Sequence, residues 1–241
     1  MAWIKLSSPT VRETPETYAP FAWPDGRFQA FPAIWDAPPA REDIDVLTVI
    51  ERRRSRRSFV SLNHDQLGQL FWHCARTQGI ATSDLGFDLE QRPTPSAGAI
   101  HPIHILVKPA QTHKWFRYDA RRHGLLEVEG SESELKPLEE CSKGVLPSED
   151  ATQLLLVAEP GKTSAKYECG ESLIWRDAGA LLAIMAVTAE ALNLAFCPLG
   201  ITGEPWASEL AAPGILMGVG MALVGGNPDR PPERAPSKPN R

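Results

Sequence analysis

Residues 51–59 read Glu51-Arg52-Arg53-Arg54-Ser55-Arg56-Arg57-Ser58-Phe59, and five of the seven residues from Glu51 to Arg57 are arginines. Arg53 and Arg57 are four apart, so at the end of a helix they share a face. Ser55 lies between them and adds a hydroxyl and a backbone N–H. Two guanidinium forks and a hydroxyl suit a phosphate monoester. The same residues are compatible with a solvated basic face. A nucleic-acid patch is a third reading, although no aromatic residues are interleaved to stack on bases.

The rest of the chain narrows those readings. It has 241 residues, 42% hydrophobic and 23% charged, which fits a globular protein with a sizeable core. The net charge is −5, whereas a protein living on nucleic-acid phosphates is usually basic. The four cysteines, Cys74, Cys141, Cys169 and Cys197, show no C-x-x-C spacing, and the six histidines show no ligand spacing. No metal site is expected, and the thiols read as reduced ones in a cytoplasm. Gly161-Lys162-Thr163 lacks the upstream glycine of a P-loop, because Leu156 stands there.

Proline, at 22 residues, gathers at the two ends. Residues 1–40 interleave Pro9, Pro15, Pro20, Pro24, Pro32, Pro38 and Pro39 with Trp3, Phe21, Trp23, Phe28, Phe31 and Trp35. This reads as an extended arm whose rings pack onto the body or onto a partner subunit. Residues 229–241 read as a disordered tail and 41–228 as the folded domain. Within it, Asp45–Arg54 reads as a helix. A second helix starts from a cap at Asn63 or Asp65, runs through Cys74 and stops at Gly79. His101–Val107 reads as a strand, and Lys114–Tyr118 with Gly124–Val128 as a hairpin. Gln153–Ala158 is apolar without alternation, so it reads as a strand buried on both faces, and Met217–Val224 as another. Ala178–Phe196 reads as one long apolar helix, stopped by Cys197-Pro198-Leu199-Gly200. It is about long enough to span a bilayer, but Thr188, Glu190 and Asn193 inside it favour a core or subunit-interface helix over a membrane span. Strands grouped in this way, not strictly alternating with helices, indicate an α+β fold.

Two further motifs have chemical potential. Pro95-Ser96-Ala97-Gly98 is a tight loop of small residues that lets a flat ligand approach the backbone. Lys166-Tyr167 pairs an amine with a phenol, a possible base and acid where burial lowers the lysine's pKa. The bland readings are an ordinary turn and a surface pair.

In their order, these motifs resemble the nitroreductase-like FMN flavoproteins. Arg53-Arg54-Ser55-Arg56-Arg57-Ser58-Phe59 is similar to the opening signature, and Pro95-Ser96-Ala97-Gly98-Ala99 to the second flavin loop. Lys166-Tyr167, Asp177-Ala178-Gly179 and Pro198-Leu199-Gly200 continue the order over about Ile44 to Pro228. The resemblance is to the SagB-type dehydrogenase branch, which includes azoline oxidases of peptide natural products. It implies a homodimer with a central, mostly antiparallel sheet flanked by helices and FMN at the subunit interface. It also implies that Arg53, Ser55 and Arg57, with Arg54 among them, hold the FMN phosphate and ribityl chain. Pro95, Ser96, Ala97 and Gly98 would lie beside the isoalloxazine, and Leu199 and Gly200 near its N5. Lys166 and Tyr167 would serve the chemistry, the lysine taking a proton while FMN takes a hydride. The expected substrate is peptide-derived or another secondary metabolite, with biosynthetic partner proteins and no role for nucleic acid or membrane. A plain NAD(P)H-dependent nitro- or quinone-reductase, and a flavin-free scaffold subunit, are the alternatives. The chain departs from the branch after Lys166-Tyr167, where Glu168-Cys169-Gly170-Glu171 replaces a Gly-, Arg- and Tyr-rich stretch.

Overall fold

A computed structural model describes residues 6–32 and 45–229. In chain order the elements are β1 (Thr10–Val11), β2 (Asp25–Ala30), α1 (Val46–Arg52), α2 (His64–Ala75), β3 (Gly79–Ala81), β4 (Leu89–Gln91), β5 (Ile103–Lys108), β6 (Phe116–Asp119), β7 (Gly124–Val128), α3 (Ser131–Val145), β8 (Thr152–Ala158), α4 (Pro160–Lys166), β9 (Tyr167–Glu168), α5 (Glu171–Ala191), β10 (Leu194–Leu199), α6 (Trp206–Glu209) and β11 (Met217–Gly226). Seven strands form one sheet in the order β10-β11-β8-β5-β6-β7-β2, and every neighbouring pair is antiparallel. The class is α+β.

Both faces of this sheet are covered, which explains why β8 is apolar at consecutive positions. Leu154, Leu156 and Ala158 face a core built with Leu70 and Phe71 of α2 and Ala178, Met185 and Ala189 of α5. Leu155 and Val157 face the other way, onto Leu135 and Leu138 of α3 and Ala207 of α6. All seven residues of β8 are buried. A strand with no solvent face has no reason to alternate.

The N-terminal stretch is part of this body. Phe21 and Trp23 pack against the second core, β2 adds an edge strand beside β7, and Phe31 is buried in the first core. The strand escapes a pattern reading because Asp25-Gly26-Arg27-Phe28-Gln29-Ala30 lies at a half-exposed sheet edge. Trp3, Trp35, Pro38 and Pro39 of the expected arm, and the expected tail beyond Asp229, lie outside the described residues.

Several boundaries differ from the sequence expectation. The long helix ends at Ala191, not Phe196, and the apolar run continues as β10. Asn193, with φ of 60°, takes the left-handed turn between them, a conformation that asparagine tolerates. Cys197-Pro198-Leu199 is therefore strand, not a helix stop. Pro198 is exposed on the sheet edge, where it needs no ladder donor. The second helix stops at Ala75, and Gly79 opens β3 instead. Asn63 caps that helix in a reciprocal box with Gln66. His101 precedes its strand, because its φ of 47° is not a strand conformation. α3 and α4 have no counterpart in the sequence reading.

Candidate functional site

The expected residues fall into two groups. The first surrounds the loop after β4. Ser96 Oγ donates to Asp177 Oδ2 at 2.5 Å, and the Ala97 N–H donates to the same carboxylate at 3.1 and 3.3 Å. The His101 N–H donates to Ser96 Oγ at 3.0 Å. Thr94 Oγ1 anchors the loop start on the Cys74 carbonyl at 2.6 Å. These bonds hold Gly98, Ala99 and His101 at φ of 64°, 57° and 47°, a left-handed conformation that costs energy for residues with a Cβ.

Lys166 and Tyr167 reach this loop from the end of α4. A Cβ placed on Gly98 would lie 2.8 Å from Tyr167 Oη and 2.9 Å from Lys166 Nζ. Both functional atoms therefore converge on the one position of the loop with no side chain. The backbone of the pair is held from the other side by the N-terminal stretch. Val11 and Thr10 of β1 pair with Tyr167 and Glu168 of β9, and the Arg12 N–H donates to the Lys166 carbonyl at 3.0 Å. The lysine closes α4.

Asp177 organises this group. It is buried on α5, and burial raises its pKa against the pull of the Ser96 hydroxyl and the Ala97 amide. In the sequence it stood only as part of the Asp177-Ala178-Gly179 opening. A lone acid before an apolar helix was its one visible signal.

The second group lies along β10. α1 ends at Arg52, so Arg53 and Arg57 do not share a helical face. The Arg56 N–H donates to the Phe196 carbonyl at 3.0 Å, and its guanidinium pairs with buried Glu190 at 3.1 Å. Arg54 turns back onto the Glu51 and Arg53 carbonyls. Arg57 lies close enough to Cys197 to draw its thiol pKa down, although burial, the larger effect, raises it. Among the described residues, the side chains of Arg53, Ser55 and Arg57 make no hydrogen bond or ion pair. Leu199 pairs with Met221 at the end of β10, and a Cβ on Gly200 would meet open space.

Ser96 is fixed at Asp177 and Arg56 at Glu190. Thirteen residues of α5 separate these anchors, about 20 Å along a helix axis. One chain brings together loop, lysine and tyrosine, and separately the arginine run and β10, but not the two groups. A donor set of two guanidiniums and a hydroxyl, unpaired among the described residues, fits a phosphate, while the space over Gly98 itself is filled by Lys166 and Tyr167.

A protein assigned as a nitroreductase from Ralstonia eutropha JMP134 superimposes with a TM-score of 0.59 at 18% identity, over 91% of this chain and 97% of its own. A second one, from Anabaena variabilis, gives 0.54 at 18% identity over 83% of this chain, which spans 42% of that longer protein. The fold is that of the nitroreductases. A component of the Escherichia coli microcin synthetase McbBCD complex, solved with truncated pro-MccB17 bound, shares the nitroreductase fold at a TM-score of 0.53 and 14% identity, over 79% of this chain and 76% of its own. No family model matches the sequence. Among curated proteins no match is found either.

Proposed function

We propose that this protein is an FMN-dependent oxidoreductase, a SagB-type dehydrogenase acting as a homodimer on a peptide-derived or other secondary-metabolite substrate. The observation that carries this reading is the convergence of Lys166 Nζ and Tyr167 Oη on Gly98 of the small-residue loop. Lys166 and Tyr167 are both half-buried, and their functional atoms meet over the backbone of Gly98. In this reading they serve as the base and the acid beside a flat redox ring.

In this reading Arg53 and Arg57 bind the FMN phosphate with otherwise unspent donors, and Ser55 adds its hydroxyl. Bound FMN supplies a hydride acceptor. Lys166 takes the proton that leaves with the hydride, and Tyr167 orients the substrate by donating a hydrogen bond. Leu199 and Gly200 present an open backbone segment beside the arginine run.

Assembly completes the site. α1 exposes Val46, Leu47 and Ile50, and the adjacent α5 exposes Trp175, with open space over Gly179. Apolar side chains and a bare helix position on two packed helices favour a second copy. A twofold pairing through this face sets the arginine run of one subunit against the Pro95–Gly98 loop of the other. The microcin synthetase component of the same fold works in a complex that holds a pro-peptide, the kind of substrate and partner proposed here.

Reconstitution with FMN tests the reading. The expected product absorbs at about 450 nm and scatters light as a species of about twice 26.5 kDa. Arg53→Ala weakens FMN binding by about 1.5–3 kcal/mol, the range for a hydrogen bond to a charged group. A colourless protein that takes up no FMN overturns the proposal.

A further inference from the structure

β5 and β6 pair only at Leu106–Arg117 and Val107–Phe116, although β5 begins three residues earlier and β6 ends two residues later. Continued in register, His104 would stand opposite Asp119. The strands splay instead, and a cavity of 180 Å³ opens between them, room for about six water molecules. Its wall holds four cations, Arg92, Arg117, Arg121 and Lys162, against two acids, Glu90 and Asp119.

The donors of this wall are only partly spent. Arg92 uses Nε and Nη2 on Glu90. Arg117 uses Nε and Nη2 on Asp25, and Arg121 uses Nε on Glu90 and Nη1 on Asp88. Each guanidinium keeps one terminal nitrogen with no partner among the described residues. Asp119 is occupied by the backbone N–H groups of Arg121 and Arg122. Lys162 has no carboxylate at ion-pair distance among the described residues. Its Nζ donates to the His101 carbonyl at 3.3 Å and lies 5.0 Å from the Phe87 ring centre, which leaves two of three donors unspent. Glu159, the acid whose field it feels most, is held by His104, the Phe21 N–H and Tyr18. Burial and then the neighbouring Arg92 push the Lys162 pKa down to about 8, against the pull of Glu159. A half-buried ammonium with no carboxylate at ion-pair distance among the described residues is costly, and an anion relieves it.

The cavity does not end there. Glu90, Arg92 and His101 also line a groove of 480 Å³ between the β3–β4 hairpin and the loop at Pro95. Ile80, Ala81, Leu89, Pro95 and Ala99 make that groove mainly apolar. We propose that the opening between β5 and β6 is an anion pocket, and that with the adjoining groove it takes a small carboxylic acid with an apolar body. The carboxylate sits on Lys162 and the spare guanidinium nitrogens, and the body lies against Ile80 and Leu89. The anion pocket stands apart from the arginine run, whereas the groove shares Pro95 and Ser96 with the loop proposed to lie beside the flavin, so acid binding is measured on protein without FMN.

Calorimetric titration of the full-length protein with hexanoate and with hexan-1-ol, at constant ionic strength, tests it. Hexanoate is expected to bind saturably and at least about tenfold more tightly than the alcohol, since only the acid meets the cations. Lys162→Met brings the two within about threefold, Lys162→Arg keeps the preference, and Arg53→Ala leaves it unchanged. Equal affinity for acid and alcohol in the wild type overturns the proposal, and this arm stands even if Lys162→Met does not fold. A folded Lys162→Met that keeps the preference also overturns it. So does loss of hexanoate binding in Arg53→Ala, which would place the carboxylate at the arginine run.

Discussion

At its Asp177 end, α5 is tied by three hydrogen bonds to a loop that holds Gly98, Ala99 and His101 in left-handed backbone. At its Glu190 end it holds the Arg56 guanidinium, and the neighbouring Arg53, Ser55 and Arg57 side chains bond to nothing among the described residues. In the first region the loop's Ser96 hydroxyl and the Ala97 and His101 N–H groups are satisfied from within, so the loop's shape is set before any ligand arrives. The second has donors that no described residue uses. A preorganised loop places a ring, and unspent cations supply affinity. Mutations at the two ends should therefore fail in different ways.

The largest loss of stability is expected at Asp177→Ala. It strands the Ser96 hydroxyl and the Ala97 N–H and costs about 3 kcal/mol in denaturant unfolding. Arg53→Ala should stay within about 0.5 kcal/mol of wild type in the same assay, as for an exposed residue without partners. If the two variants unfold alike, the contrast between the ends is gone.

Lys166→Ala is expected to leave FMN bound and to slow substrate-dependent flavin reduction by about a hundredfold, the scale of general-base effects. Stopped-flow bleaching reads this directly, and an unimpaired variant removes Lys166 from the chemistry. Arg56→Ala sharpens the other side. It leaves the Glu190 carboxylate, 6% exposed, without its guanidinium and should cost about 2 kcal/mol, less than a fully buried pair because Arg56 is partly solvated. A neutral result would mean that the arginine run is held by its backbone bond to Phe196 alone. Gly98→Ala should cost about 1 kcal/mol in stability for its φ of 64°, less than Arg56→Ala and more than Arg53→Ala. Its methyl displaces Lys166 Nζ and Tyr167 Oη, so turnover should fall further than stability does. Equal falls in both would mean that the convergence on Gly98 carries no chemistry.

The sequence made much of the fold legible because the signals were local. A capping residue at Asn63 or Asp65 announces the start of α2, which the structure assigns to Asn63, and the unbroken apolar run of β8 announces a strand covered on both sides. The α5–β10 boundary was hidden for the opposite reason. Leu192 and Asn193 turn the chain within an apolar stretch, since helix and strand both face the core and neither shows a polar stripe. β2 was hidden because an edge strand with one half-exposed face can be polar, and Pro137 inside α3 masked a helix whose buried positions are Leu135 and Leu138. In the candidate site, Lys166 and Tyr167 could be picked by residue type. Asp177 and Lys162 could not, because their meaning comes from which carbonyls, amides and cavities the fold sets beside them.

The pairing of β1 with β9 has a practical side. Residues 10–12 are hydrogen-bonded to the backbone of Lys166, Tyr167 and Glu168, and Arg12 Nε also reaches the Ser164 carbonyl. A tag fused close before Thr10, or a protease cut between Val11 and Tyr18, would act on the two side chains that meet at Gly98. Preparations differing only in their first dozen residues can be expected to differ in turnover while sharing the same far-ultraviolet circular dichroism, so the N-terminus should be verified by intact mass before activities are compared.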